Sequence, residues 1–341
     1  MKRWMLAAVL CVAPFCSASA RGDELNERAA QIKADVYPAL DLRMRGHDGE
    51  YMGPNDRPRD ANDTFYASSE LRVLSRASRL GYTRSGSTYL ELAQVRYKDL
   101  LKYQDKTTPG YFWVGESGQG LTTWCQAYAV MGLVEYARAS GEIEPRSIAL
   151  ETWRFIRDRA RDKSDGSYFS QIRSGKLGPN QAGGFGVKDS VAHLALLEAG
   201  TALYDLTHDQ SLRRDVKELL DLNESLYHSS LYSPDECEAG VAIAQAQRVL
   251  GMPVKWVDLV RRVEFSYRFD SKEIEGLTYL EKGRIAGLTL LARELPGSRR
   301  SFGTELLPLL PLHQRASSLP VLEVMDFVAA FDRKSPSPVD R

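Results

Sequence analysis

The strongest constraint on this chain is an alternation between two kinds of helical segment. Segments 65–79, 122–138 and 188–206 are rich in Ala, Leu and aromatic residues on nearly every side, which is typical of helices that are buried all round. The segments 148–160 and 212–219 carry apolar residues on one face and charges on the other, which is typical of half-exposed helices. A buried helix followed by a half-exposed one predicts two concentric helical layers.

A glycine followed by aromatic residues recurs in the turns at 48–51, 110–113 and 165–169. The spacing of roughly 60 residues matches two helices with their loops, so it predicts repeated helical hairpins. Six further segments have helical periodicity: 24–40, 236–250, 254–265, 277–295, 302–310 and 319–331. The total of about twelve helices predicts an all-α fold, an (α/α)6 toroid of six hairpins, without strands of useful length.

The N-terminus has the pattern of a secretion signal. Two basic residues precede an apolar run at 4–15, and a small-residue cleavage motif follows at 18–20. We therefore expect a signal peptide at 1–20, a single domain at 21–333 and a disordered tail at 334–341. The prediction is a periplasmic or secreted protein without a membrane span.

Composition excludes several classes of function. The chain has 45 basic and 45 acidic residues. It therefore lacks the surplus of basic residues that would indicate a nucleic-acid partner. No His or Cys pair has metal-ligand spacing, and no glycine loop has a nucleotide fingerprint, so we expect no cofactor.

Cys125 and Cys237 remain after signal cleavage and can pair in an oxidising compartment. Both lie near the starts of non-adjacent helices, and the sequence leaves the bridge open.

Segment 188–206 contains two groups that are costly to bury unpaired, His193 and Glu198. At 100° per residue they point roughly 140° apart, so they cannot be partners on one helix face. Asp189 lies one turn before His193 and can hold its ring. A core histidine satisfied by Asp189 or by a carbonyl is the structural alternative to a catalytic one.

The chain resembles the N-acylglucosamine 2-epimerase and cellobiose 2-epimerase superfamily of (α/α)6 barrels. Residues 188–199 are similar to that family's Lys-x-x-Asn-x-His-x-His-Leu-Leu-Glu-Ala segment, and 123–129 to its Leu-Tyr-Gly-Gln-Ala-Phe-Ala helix start. The turns at 110–113 and 165–169 look like its Gly-Gly-Trp/Tyr-Phe loops. The resemblance extends from about residue 48 to residue 222 and is thin thereafter.

The resemblance implies proton abstraction beside the carbonyl of an open-chain sugar, with histidines as the acid and base. It implies catalytic roles for His193, for Asp235 in place of a family histidine, and for His313 in a Pro-Leu-His-Gln segment. It implies sugar-binding roles for Glu70, Trp113, Trp124, Gln126, Glu198 and Glu238.

Two departures from the family pattern lie in segment 188–199. Val191 stands where the family has Asn, and Ala195 stands where it has a second His. Glu70 likewise takes the position of a family arginine that binds sugar.

Three functions remain open at this stage. The first is a sugar epimerase or isomerase, and its partner is a sugar or polysaccharide. The second is a glycan hydrolase or lyase, in which Asp235, Glu236 and Glu238 face Glu70 and Glu198, since inverting hydrolysis needs two carboxyl groups about 6.5–9.5 Å apart. The structural alternative is that Asp235 and Glu236 only cap their helix. The third is a glycan-binding protein without catalysis. The sequence makes no prediction of oligomeric state.

Overall fold

The computed structural model describes residues 26–31, 64–82, 86–112, 121–175, 183–228, 236–266, 277–295 and 321–331. The predicted signal peptide, the predicted tail and the helix expected at 302–310 lie outside these residues. Residues 26–31 are helical. Ten longer helices follow: α1 Thr64–Arg79, α2 Tyr89–Lys102, α3 Thr123–Ser140, α4 Ile143–Ala160, α5 Ser190–Thr207, α6 Gln210–His228, α7 Glu236–Val249, α8 Trp256–Ser266, α9 Leu277–Glu294 and α10 Val321–Phe331.

The helices form two concentric layers. Six of them, α1, α3, α5, α7, α9 and α10, make an inner ring in which each contacts the next and α10 contacts α1. The other four, α2, α4, α6 and α8, lie outside, each against two consecutive inner helices. The predicted (α/α)6 toroid is therefore confirmed. None of the described helices combines the length and the apolar character that crossing a bilayer requires.

The structure adds two details to the prediction. Three two-residue strands, β1 Leu121–Thr122, β2 Gln171–Ile172 and β3 Gly184–Phe185, form an antiparallel sheet in the order β1-β2-β3. Strands this short leave no periodic pattern, and they agree with the expectation of no strand of useful length. Helix α2 was also not named from its pattern, although the capping box of Thr88 and Glu91 marks its start.

Glycines allow close approach between helices at two positions, one within the inner ring and one between the two layers. A Cβ on Gly132 of α3 would lie 3.1 Å from the carbonyl oxygen of Ser68 on α1. A Cβ on Gly200 of α5 would lie 2.7 Å from the indole of Trp153 on α4. These contacts fix which side of each inner helix faces its neighbours.

Cys125 and Cys237 are both buried, on α3 and α7, and no disulfide joins them. These helices are not adjacent in the ring because α5 lies between them. The sequence left a disulfide between the two cysteines open, and the structure does not contain one. The Cys237 thiol instead donates to the carbonyl of Gly283 at 3.0 Å.

A charge network joins four inner helices, at the C-terminal parts of α1, α3 and α5 and at the middle of α10. Its members are Arg76, Arg79, Glu135, Arg138, Asp205 and Asp326. The Glu135 carboxylate accepts from Arg76 at 3.0 and 3.1 Å and from Arg138 at 3.2 Å. Arg138 also donates to Asp205 at 2.6 Å, and Arg76 pairs with Asp326.

Burial raises the pKa of Glu135, but the neighbouring arginines, Arg76 foremost, outweigh burial and hold this pKa far below its ordinary value. Three cations therefore depend on one buried carboxylate.

We predict that Glu135→Gln lowers the free energy of unfolding by about 3–5 kcal/mol, because it leaves partly buried arginines without their shared counter-charge. Urea unfolding of the variant and the parent measures the difference. The matched control is Glu218→Gln, since Glu218 pairs with Arg161 on the exposed surface and should cost less than about 1 kcal/mol. Equal losses in the two variants would contradict a special role for Glu135.

The lowered pKa of Glu135 also predicts a pH dependence. The stabilisation by Glu135 is present above its ordinary pKa of 4.5 and is lost as the pH falls below that value toward the lower pKa of the folded state. Unfolding curves recorded between pH 7 and pH 3 should therefore converge for the parent and Glu135→Gln. Curves that stay the same distance apart would contradict this linkage.

Candidate functional site

Contacts on the outer side of α5 reveal which residues face the axis of the ring. Gly200 packs against Trp153 of α4 and Val216 of α6, both in the outer layer. At 100° per residue, Val191 and Glu198 lie about 180° and 160° from Gly200. Glu198 therefore faces the axis.

A contact with the outer layer also orients α1. Glu70 pairs with Arg96 of the outer helix α2, so its side of α1 faces outward. Phe65 and Arg72 lie about 140° and 160° from Glu70 and face the axis. Arg76 continues this axial side down to the charge network.

On α3, Gln126 points toward the segment that follows the outer helix α2. Its Oε1 accepts from the backbone N–H of Tyr111 at 2.7 Å, and its Nε2 donates to the carbonyl of Tyr111 at 2.7 Å. Trp124 and Tyr128 lie about 160° from Gln126 and face the axis.

On α7, Gly240 packs against Leu259 and Arg262 of the outer helix α8. Glu238 lies about 160° from Gly240 and Gln245 about 140° from it, so both belong to the axial side. Gln245 is exposed although it lies in the middle of an inner helix. Exposure at this position agrees with open space along the axis.

An aromatic cluster of Phe65, Trp124 and Tyr128 lies at the N-terminal end of this axial side. The ring centroid of Phe65 lies 5.4 Å from that of Trp124 and 4.6 Å from that of Tyr128, and both contacts are edge-to-face. All three side chains are partly exposed. Partly exposed rings beside polar groups are suited to the apolar faces of a sugar.

His193 occupies a different environment from the one that a catalytic role would require. It lies about 20° from Gly200 and so points outward, and it is 2% exposed. Its Nε2 accepts from the backbone N–H of Tyr168 at 2.9 Å, while Nδ1 has no partner among the described residues. The lone pair that would take a proton from carbon is therefore engaged by the protein itself.

Asp189 does not hold the His193 ring by a hydrogen bond. Its side chain caps α5 by accepting from the N–H of Val191 at 2.9 Å. Burial lowers the pKa of His193, and the charge of Asp189 opposes that shift. The geometry fits the structural alternative, with a backbone amide in place of the expected carbonyl or aspartate. The catalytic role of His193 stays a prediction that this geometry does not support.

The other predicted residues divide into two groups. Glu198, Glu238 and Trp124 face the axis together, as their predicted sugar-binding roles require. Glu70 and Gln126 face outward, and their contacts with Arg96 and Tyr111 are structural. Burial raises the pKa of Glu70 to about 7 against the opposing charge of Arg96, which lies 2.5 Å away.

Asp235, His313 and Trp113 lie outside the described residues, and their predicted roles stay predictions. Glu236, which was weighed as a cap or a carboxylate of the site, is buried and pairs with Arg262 of α8. It therefore faces the outer layer.

Arg72 is an axial residue that the sequence reasoning missed. Its Nε is buried, and no hydrogen bond or ion pair of Arg72 is formed with the described residues. The available signal was its place seven residues after Phe65, on the same helix face.

Two other features of the described residues were considered as sites. No group of three His, Cys, Asp or Glu side chains in the described part of the chain is arranged to hold a metal ion. A cleft of about 340 Å³ lies between α6, α7 and α8. Its Glu224 is satisfied by Lys255 at 2.9 Å and by Gln247 at 2.7 Å, so the axial side is the stronger candidate.

Comparison with known proteins identifies one curated relative of interest. A cellobiose 2-epimerase of Dictyoglomus turgidum is 29% identical to this chain over an alignment of 171 residues, which covers 46% of this chain and 43% of the relative. The chain thus matches less than half the length of that relative. No protein-family model matches the chain.

Solved structures share the fold over nearly the whole chain. The cellobiose 2-epimerase of Spirochaeta thermophila superposes with a TM-score of 0.70 at 17% identity. The superposition covers 94% of this chain and 99% of that one. A GH76 α-mannanase of Bacteroides thetaiotaomicron superposes with a TM-score of 0.56 at 11% identity, covering 92% and 96%. The resemblance found in the sequence is therefore confirmed, and the chain has the six-hairpin (α/α)6 fold of the N-acylglucosamine 2-epimerase and cellobiose 2-epimerase superfamily.

Proposed function

We propose that the protein is a sugar epimerase or isomerase that binds its substrate on the axial side of the inner helices, in the periplasm or outside the cell. The observation that carries this proposal is the convergence of Glu198, Glu238 and the aromatic cluster on one side of the ring. The similarity to a cellobiose 2-epimerase supports the reaction class, and the signal pattern at 1–20 supports the location.

The proposed reaction begins with removal of the proton next to the carbonyl of an open-chain sugar. The carboxylate of Glu198 takes the C2 proton, and the electron pair of the C–H bond forms the double bond of an enediolate. Return of a proton to C2 from the opposite face gives the epimer, and return to C1 gives the isomer. The opposite face needs a second acid, for which His313 and Asp235 are the sequence-predicted candidates.

The remaining axial groups bind the sugar. The aromatic cluster contacts the apolar face of a sugar ring, and Glu238 accepts from hydroxyl groups. His193 acts indirectly, because its bond to Tyr168 ties the loop after α4 to the start of α5.

A glycan hydrolase is the second candidate, because the axial side of the described helices holds two carboxylates, Glu198 and Glu238, and no described histidine. The fold shared with an α-mannanase is compatible with this chemistry, since a fold does not fix a reaction. Release of reducing ends from oligosaccharides, dependent on both glutamates, would favour the hydrolase. Saturable glycan binding without any product would favour a binding protein.

We predict that the protein catalyses exchange of the C2 proton of its sugar with D₂O, and that Glu198→Gln slows this exchange at least about 100-fold. Proton NMR of a panel of aldoses, ketoses and disaccharides measures the rate. Glu151→Gln is the matched control, since Glu151 is exposed on the outer helix α4. Absence of exchange across the panel would reject the epimerase proposal, and full exchange by Glu198→Gln would reject Glu198 as the base.

We predict different effects for two substitutions of His193. His193→Phe removes the acceptor of the Tyr168 amide and should lower the free energy of unfolding by about 1–3 kcal/mol. His193→Gln can place an oxygen near the position of Nε2 and should lose less. Urea unfolding measures both, and C2 exchange per folded molecule should change less than about tenfold. Loss of exchange in both variants with unchanged stability would restore His193 as a catalytic residue.

A further inference from the structure

The hydrogen bond between Tyr168 and His193 exists only while the imidazole is neutral. The backbone N–H of Tyr168 donates to Nε2 of His193 at 2.9 Å, so Nε2 carries no proton and Nδ1 carries the only one. Protonation would place a second N–H on the ring, directly opposite the N–H of Tyr168. Two donors cannot share a hydrogen bond, and His193 is 2% exposed, so little water is present to replace the lost acceptor. A charged ring therefore requires Tyr168 to move away.

The surroundings of His193 do not stabilise a positive charge on its ring. The charged groups that act on it are Lys188 and Asp189 before α5 and Asp165 in the turn after α4. Asp189 caps α5, and Asp165 pairs with Lys188 at 2.6 Å. Asn223 of α6 donates to the carbonyl of His193 and is uncharged. The groups that act on the neighbouring Tyr168 are Arg157, Arg161, Asp215 and Glu218.

The closed arrangement therefore loses stability in acid. Burial lowers the pKa of His193 below its ordinary value of 6.5, and the charge of Asp189 opposes this shift. An imidazole that has been released into water binds a proton more readily than the buried one. The closed arrangement is thus fully stabilised above pH 6.5, and this stabilisation is lost as the pH falls toward the lowered pKa.

The segment 168–170 connects this hydrogen bond to the start of α3. Thr123, the first residue of α3, donates from its backbone N–H to the carbonyl of Ser170 at 2.9 Å. Its Oγ1 donates to the carbonyl of Phe169 at 2.5 Å. Trp124 of the aromatic cluster directly follows Thr123. Displacement of the segment would therefore free the start of the helix that carries this ring.

We propose that the hydrogen bond from Tyr168 to His193 is an acid-sensitive latch, and that protonation of His193 releases the segment 168–170 together with the start of α3. One proton from water adds to Nε2, and no covalent bond of the chain breaks. The effect of the latch on sugar binding at Trp124 rests on the proposed function. The release itself depends on no ligand.

Hydrogen exchange of single backbone amides in the full chain tests the release without a sugar. Exchange rates are recorded at pH 7 and at pH 5 and are divided by the intrinsic rates of an unstructured chain at each pH. From the ordinary pKa of histidine, release should become up to about 25-fold more favourable over this range. We expect the corrected rates of the Tyr168, Ser170 and Thr123 amides to rise by about 10- to 25-fold.

Two variants separate His193 from other groups that titrate in this range. His193→Gln keeps an acceptor but binds no proton, so its corrected rates should change less than about twofold. The matched control is His208→Asn, since His208 is exposed after the end of α5 with a φ of 54° that Asn tolerates. Its rates should follow the parent. Both variants keep Glu70, the pKa of which burial raises to about 7, so the difference between them isolates His193.

Three outcomes would overturn the latch. The first is a parent whose corrected rates do not rise at pH 5, and the second is an equal rise in His193→Gln. The third is equal protection of these amides and of amides in the middle of α5, because global unfolding alone would then expose them. Should His193→Gln not fold, an NMR titration of the His193 ring in the parent decides, since release must follow its protonation.

The readouts also distinguish failure of the latch from failure of the proposed function. We expect the rate of C2 proton exchange to fall more steeply from pH 7 to pH 5 in the parent than in His193→Gln. Released amides without C2 exchange at any pH would support the latch and reject the epimerase. Amides that stay protected at pH 5 beside full C2 exchange would overturn the latch while supporting the epimerase.

Discussion

The ion pairs of the Glu135 carboxylate are the interaction on which this end of the ring depends. Glu135 pairs with Arg76 and Arg79 of α1 and with Arg138 of α3, and Asp326 of α10 and Asp205 of α5 complete the network. A ring of helices can be filled by apolar side chains at this end, but this chain uses ions. The geometric demands of ion pairs restrict how the four helices can be rotated about their own axes. That restriction determines which residues of the upper turns face the axis.

The N-terminal turns of the inner helices, called the upper turns here, differ from the lower turns in how their charged groups are paired. In the lower turns, each axial cation has its counter-charge within the chain. Above, the aromatic cluster, Glu198, Glu238 and Arg72 face inward, and Arg72 forms no ion pair with the described residues. A protein core satisfies its own polar groups, whereas a binding site leaves some of them for a ligand. The boundary between the two lies at about the level of Met131, which is buried between Tyr128 and Glu135 on α3.

Much of this fold follows from the sequence because the pattern of apolar residues is a local property. Alternating buried and half-exposed helices predicted both layers, and the same helical spacing of 100° per residue places His193 and Glu198 on different sides of α5. The sequence could not say which of the two faces the axis, since that depends on Gly200 and on the outer helices it contacts. The backbone N–H of Tyr168 could not be predicted as the partner of His193 either, because every residue type except proline carries the same backbone N–H group. The resemblance to a family assigned sugar binding to Glu70, which pairs with Arg96 of the outer layer, and gave no role to Arg72.

The side chain of Gln126 has a consequence for how a sugar would be received. Its amide forms with the peptide of Tyr111 the same pair of hydrogen bonds that a neighbouring β-strand would form. These two hydrogen bonds attach the turn at 110–112 to α3, two residues from Trp124. The pairing forms during folding, so the start of α3, which carries Trp124, is held in place before any sugar binds. Binding at Trp124 would therefore incur little entropy cost for ordering this part of the helix.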